Sequence, residues 1–227
     1  MATRAIDSAG EPQRRAAARV KAAPAPRRYA PEETRARVLE AAYQLFSLQG
    51  YQGTGTADIA RAANVSEGSI FYHFGSKRAL LAELGRLHGE KLVAAMQGDD
   101  ALETLDPRDA ISRCFRFCEL NTTWEAIQGE EECKGGYQKA APDPEAEPFF
   151  LAAREVTQAW VERHVEAWNR HHGITGVDPA IAASLTFAAV GDALHLAFRH
   201  GVTPEERAHI LEQTIRFVKA ACMGGEG

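Results

Sequence analysis

The sequence predicts an all-α protein, and three observations carry that prediction. Apolar residues recur at three- and four-residue spacing through most of the chain from Pro31 onward. No run alternates apolar and polar residues with the period of a strand. Glycine, proline and asparagine fall between the periodic stretches, where helices start and stop. At 227 residues, 45% hydrophobic and 25% charged, the chain has an ordinary globular composition and length for a sizeable core in one or two domains. Its apolar runs read as shorter than the ~20 residues of a membrane-spanning helix, so no membrane partner is expected. The basic N-terminus has no apolar stretch behind it to make a secretory signal, and a cytoplasmic protein is expected.

Residues 1–28 are rich in Ala, Arg and Pro. They hold too little apolar surface to offset the entropy of ordering, so they read as a disordered basic arm. The formal net charge of −5 looks wrong for a partner of a polyanion, but its distribution is uneven. Seven basic residues (Arg4, Arg14, Arg15, Arg19, Lys21, Arg27 and Arg28) stand against Asp7 and Glu11 in the first 30 positions, and the body carries the acidic excess. Two readings of the arm stay open, an inert solvated tail and an arm that touches phosphates or enters a minor groove. Arg27 and Arg28, nearest the folded part, are its candidate DNA contacts.

The first helix is expected from near Pro31, a residue suited to the first helical position, to Gly50. Glu32 and Glu33 suit its positive end. Val38, Ala42, Leu45 and Phe46 form its buried stripe, while Arg35 and Arg37 read as solvated face. Gly53 and Gly55 predict a loose connection to the next element. That element, Thr56 to Phe74 (TADIARAANVSEGSIFYHF), reads as two short helices around a tight turn. Thr56 suits an N-cap. Ile59, Ala60 and Ala63 make a small apolar stripe. Asn64 tolerates the left-handed conformation that ends a helix. Val65 is expected beneath the turn, and Ser66 at the cap of the second helix. Ile70 and Phe74 point inward, which leaves Glu67, Gly68, Ser69, Tyr72 and His73 outward. A helix-turn-helix whose second helix enters a major groove needs such a polar, aromatic face. Gly75 then breaks the helix, Ser76 caps a third, and Lys77 sits in its first turn. A plain helical hairpin of an all-α protein would show part of this pattern. The preceding helix, the Asn64 turn and Ser76-Lys77 in register favour DNA binding.

The string Gly68 to Lys77, GSIFYHFGSK, resembles the end of the DNA-binding domain of the TetR family of transcriptional repressors, and Thr34 to Gly50 is similar to that family's first helix. The resemblance covers about Glu32 to Leu84. It implies a helix-turn-helix domain over 29–78 and an effector-binding and dimerisation domain over 79–227. It also implies that Ser66, Ser69 and Tyr72 read base edges while Thr56, His73 and Lys77 meet phosphates, with Gly68 allowing close approach. One departure stands out: the family usually has tyrosine where this chain has Phe71, so a hydroxyl that could reach a phosphate is missing.

A helix is next expected from about Ser76 to Met96, with Leu80, Leu84 and Leu87 on one side. Gly85 and Gly89 fall in its interior, each costing about 1 kcal/mol relative to alanine. Close packing against another helix explains them most simply; a compliant linker is the functional alternative. Gly98 to Pro107 reads as a loop, and a fifth helix follows from about Arg108 to Ile127, with Ile111, Phe115, Cys118 and Thr122 as its stripe. Residues 129–148, acidic and rich in Gly and Pro, read as a long loop. A long helix returns over Phe149 to His172, with Thr157, Trp160, His164 and Trp168 on one side. Gly173 to Pro179 is a turn. The last two helices, about 179–200 and 204–222, carry apolar residues on more than one face. The resemblance implies that these two pair with their copies in a homodimer.

The sequence holds no Gly-rich phosphate loop, no GxSxG and no HExxH, and no acid–base or nucleophile constellation, so no catalytic residue and no cofactor is expected. His164 and His171 fall on similar faces but read as core or solvated histidines rather than metal ligands. Cys114, Cys118, Cys133 and Cys222 make neither a disulfide framework nor a CxxC pair. Aromatics around the acidic loop suggest a cavity for a small, mainly apolar organic effector. Its expected lining is Phe115, Cys118, Thr122 and Trp124 facing Trp160, His164 and Trp168. The expected function is a repressor released from a palindromic double-stranded operator by that effector. The alternative is a helix-turn-helix sensor of thiol oxidation or a metal ion.

Overall fold

A computed structural model describes residues 30–120, 146–199 and 201–222, with side chains to residue 221. Arg27 and Arg28, Thr122 and Trp124, Cys133 and most of the acidic segment lie outside the described residues. Among those described there are eight helices and no strand. They are α1 (Pro31–Gly53), α2 (Thr56–Ala63), α3 (Glu67–Phe74), α4 (Lys77–Gln97), α5 (Pro107–Leu120), α6 (Glu147–His172), α7 (Pro179–Ala197) and α8 (Pro204–Cys222). The all-α fold class follows the sequence pattern.

In α1 the expected stripe is buried: Val38, Ala42 and Phe46 are core residues and Leu45 packs partly against them. Gly50 interrupts the helix at φ 71°, ψ 170°, and one further turn runs to Gly53. The connection to α2 is not loose, which corrects the sequence expectation. Thr54 is fully buried, and its hydroxyl lies 2.9 Å from the Gly50 carbonyl and 3.2 Å from that of Leu45. The Tyr51 ring packs 5.4 Å from that of Phe46. A short polar side chain bonded to nearby backbone fixes what two glycines would otherwise leave free.

Three apolar clusters hold the rest. The first joins α1 to α4 and takes in Phe149 of α6. The second gathers Met96, Leu105, Ala110 and Cys114 with Trp160, Val161 and Val165 of α6 and Ala182 and Ala183 of α7. The third joins Ile111 and Phe115 of α5 to Ala193, Ala197, Ile215 and Val218 of α7 and α8. Since α4 contributes Leu80, Leu81 and Leu84 to the first and Met96 to the second, packing continues across residue 78.

The glycines of α4 explain how it takes that position. A Cβ on Gly85 would lie 2.1 Å from the Phe149 carbonyl oxygen, and one on Gly89 would lie 2.8 Å from that of Ala153. Backbone of α6 occupies the space a methyl group would need, so close packing, not a compliant linker, accounts for both. α5 is described to Leu120, and the expected continuation to Ile127 lies outside the described residues. α7 begins with Pro179 behind Asp178, whose carboxylate accepts from Ala180 and Ile181 at 2.9 and 3.0 Å. α7 is long and apolar enough, by length and composition alone, to cross a membrane, which corrects the expectation of shorter apolar runs. Much of its surface is uncovered: Ile181 is 61% exposed and Leu185 58%, and Phe217 of α8 is 57% exposed.

Candidate nucleic-acid interface

Gly55, not Thr56, precedes α2 as its N-cap, and no side chain caps the helix. Thr56 is the first helical residue, and its hydroxyl donates instead to the Glu67 carboxylate, the first residue of α3. Between the helices Asn64 adopts φ 53°, ψ 51°. Its N–H donates to the Arg61 carbonyl at 3.2 Å, and that of Val65 to the Ala60 carbonyl at 3.0 Å. This paired closure satisfies the last carbonyls of α2 and sets the sharp entry into α3. Val65 is half-buried rather than wholly beneath the turn. Ser66 caps α3, accepting from the Ser69 N–H at 3.2 Å, and the two hydroxyls lie 2.8 Å apart. Gly75 stops the helix at φ 76°, and Ser76 caps α4 through the Ala79 N–H at 3.0 Å.

The helix phase decides which side chains remain outside. Ile70 is wholly buried and Phe74 packs partly against the same cluster. The opposite face presents Glu67, Gly68 and a half-buried Ser69, with Tyr72 77% and Phe71 48% exposed. His73 is half-buried and meets the Tyr72 ring edge-on at 5.1 Å. The Lys77 ammonium lies 4.0 Å from the centroid of the Tyr51 ring. This held, short helix with one free face is what entry into a groove requires.

The domain is braced from behind by a network that periodicity did not show. Arg35, expected as solvated face, pairs with Glu83 of α4 and lies over the Phe74 ring at 5.2 Å. Glu83 also takes Arg86 Nε at 3.0 Å, and Arg86 pairs with Glu90. The Arg86 hydrogen bonds, against burial and together with those of Arg35, bring the Glu83 carboxyl down to about 2. Glutamate at 83, three before Arg86 and seven before Glu90, was the sequence signal for the α4 part; its partner on α1 had none.

Of the expected effector lining, Trp160, His164 and Trp168 follow one another along α6 with ring centroids 5.2 and 6.5 Å apart, while Phe115 lies in a different cluster from Trp160. Phe115 sits in the α5–α7–α8 cluster, 6.3 Å from the Phe198 ring. Trp160 and His164 face another way and are satisfied core residues. The Trp160 Nε1–H donates to Gln97 Oε1 at 2.9 Å, and the His164 Nε2–H to the Leu105 carbonyl at 2.8 Å. Burial, opposed by that bond, holds His164 below its ordinary pKa. Trp168 stacks on His172 at 3.9 Å. The physical reason is that α4 packs against both α5 and α6. His88 of α4 also bridges these helices, 5.5 Å from Phe117 and 5.4 Å from Phe149. Cys118 is half-buried near the buried Cys114, and both are free thiols. Among the described residues no three His, Cys, Asp or Glu side chains gather in a metal-holding group.

Residues 38–84 match the family model described as bacterial regulatory proteins, tetR family. The chain is 29% identical over 136 residues to the HTH-type transcriptional regulator LmrA of Bacillus subtilis, across 59% of this chain and 70% of that protein. It is 43% identical over 56 residues to the HTH-type transcriptional regulator AcrR of Shigella flexneri, across 25% of this chain but only 26% of that protein. In three dimensions it is similar to the crystal structure of a tetR family transcription regulator from Shewanella sp. PV-4, with TM-score 0.58 and 22% identity, over 83% of this chain and 97% of the other. At that identity the likeness is one of fold.

Proposed function

We propose that this chain, which belongs to the TetR family of DNA-binding transcriptional regulators, acts as a homodimeric repressor that a small organic effector releases from a palindromic operator. The observation that carries the DNA-binding part is the uncovered face of α3, fixed by the Asn64 turn, the Ser66 cap and the buried Ile70. Ser66, Ser69 and Tyr72 are assigned to base edges. His73, Lys77 and the arm residues Arg27 and Arg28 are assigned to phosphates, with Gly68 giving the backbone room and Phe71 packing on the sugar-phosphate chain. The uncovered apolar residues Ile181, Leu185 and Phe217 support pairing through α7 and α8 with a second copy, and a two-fold dimer reads two half-sites about one helical turn, ~34 Å, apart. Footprinting on a selected operator tests this. A symmetric double half-site is expected, and a Lys77→Ala protein is expected to lose about 0.9 from the slope of log K against log salt. A single asymmetric half-site, or an unchanged slope, counts against the reading.

The effector is proposed to be mainly apolar, because aromatic residues flank the acidic segment 129–148 on both sides in the sequence. The rings of His88, Phe117 and Phe149 meet where α4, α5 and α6 pack, and Trp160 lies among Met96 of α4 and Cys114 of α5. Effector binding acts as a population shift toward a conformation in which the two recognition helices no longer match successive grooves. Operator release is compared in wild type, a cysteine-free variant and His164→Ala with His171→Ala. Retained response in both variants is expected. A folded, DNA-binding variant that has lost every response overturns the apolar-effector reading in favour of thiol or metal sensing.

A further inference from the structure

From the contact between the first residues of α2 and α3, we infer that Glu67 reads a cytosine in each half-site and that Thr56 is its positioning residue rather than a phosphate contact. The inference rests on the operator-binding reading and names a specificity determinant within it. Glu67 opens the recognition helix, where side chains of such motifs meet base edges. It is exposed. A carboxylate on that face is repelled by phosphates, so its presence asks for a donor. In the major groove the N4 amino group of cytosine supplies one, and it is the base-edge partner suited to an acidic side chain.

Thr56 makes this more than a charge at a helix end. Its hydroxyl has one proton, and it donates that proton to Glu67 Oε1. It therefore cannot donate to a phosphate in the same arrangement. The bond leaves the second carboxylate oxygen free and restricts an otherwise flexible side chain. Thr56 is half-buried and stands directly after the backbone that Thr54 pins to Leu45 and Gly50. The anchor is thus set by the buried part of the domain, and it carries that order to the reading oxygen. Restraint of this kind sharpens discrimination because less side-chain freedom is lost on binding.

The test is selection from a randomised duplex library, with the full chain as wild type, Glu67→Gln, Glu67→Ala, Thr56→Val and the Thr56→Val/Glu67→Ala double variant. Wild type is expected to prefer C·G at one symmetric position by about tenfold over the alternatives. Glu67→Gln is expected to move that preference toward A·T, since glutamine pairs with adenine N6 and N7. Glu67→Ala is expected to abolish it and leave the other positions unchanged. Thr56→Val should weaken the preference when Glu67 is present and have no effect on it in the Glu67→Ala background. If Glu67→Ala selects the wild-type sequence with uniformly higher affinity, Glu67 only repels phosphate and the inference is wrong. It is equally wrong if Thr56→Val lowers affinity for all sequences alike in both backgrounds. If wild type selects no palindrome at all, the operator-binding reading itself fails.

Discussion

Gly85→Ala separates a packed α4 from a compliant one by the sign of its effect. In an open helix interior, alanine for glycine stabilises by about 1 kcal/mol. Here the new Cβ would lie 2.1 Å from the Phe149 carbonyl oxygen and 2.8 Å from both its carbonyl carbon and Cα, where ordinary contact begins at 3.4 Å. All three are backbone atoms, so no rotamer change relieves the overlap, and α4 and α6 must move apart. Overpacking costs about 1–3 kcal/mol, and a clash with backbone belongs at the upper end. The net expectation is a loss of about 2 kcal/mol after the propensity gain. For a chain of this size that lowers Tm by roughly 4–8 °C. Gly89→Ala meets the Ala153 carbonyl oxygen at 2.8 Å, Val156 Cβ at 3.1 Å and Ala153 Cα at 3.2 Å, a milder overlap than at Gly85, so its loss should be smaller. Thermal unfolding followed by circular dichroism, at one fixed protein concentration, measures both. A Gly85→Ala protein as stable as wild type, or more so, refutes the close-packing argument.

Phe71→Tyr should bind operator as well as wild type or better, by up to ~1 kcal/mol, the usual net value of one hydrogen bond. The ring is 48% exposed, so a large loss of binding or stability would contradict its placement on the DNA face. Deleting residues 1–28 should flatten the salt dependence by about 0.9 in slope for each phosphate contact removed, and an unchanged slope reduces the arm to an inert tail. Glu83→Gln should cost about 1 kcal/mol near neutral pH, since both guanidinium partners are partly exposed. The Glu83 carboxyl falls from 4.5 to about 2 on folding, so its contribution is complete above 4.5 and fades as pH drops toward 2. Urea unfolding of the two proteins across that range should show their difference closing; a constant difference would mean that the pairs with Arg35 and Arg86 are not its source.

Helix phase was legible in the sequence because burial acts on it directly. Val38, Ala42 and Phe46, or Ile70 opposite Tyr72, follow from spacing alone, and Asn64, Ser66, Gly75 and Ser76 announce their backbone roles by their chemistry. Caps were legible to within one residue: Thr56 is a good N-cap by type, but Gly55 takes the position and frees the threonine for Glu67. The connection between α1 and α2 was misread for a related reason. Two glycines signal freedom, yet the restraint comes from Thr54, whose effect depends on reaching the Leu45 carbonyl nine residues back.

Which neighbours the aromatic stripes pack against was not legible, and the reason is geometric. A stripe states which side of a helix is buried, not against what. Phe115 and Trp160 each lie on an apolar side, but each helix of a core has more than one neighbour. What decides the pairing is which helix can come closest, and here α4 can, because Gly85 and Gly89 let its backbone rest on that of α6. Once α4 is seated, His88 on the same helix is carried between Phe117 and Phe149. Burial, and then the Lys91 charge, keeps its imidazole below its ordinary pKa and so favours the neutral ring. The glycines thus fix both the seat of α4 and the ring contacts beside it.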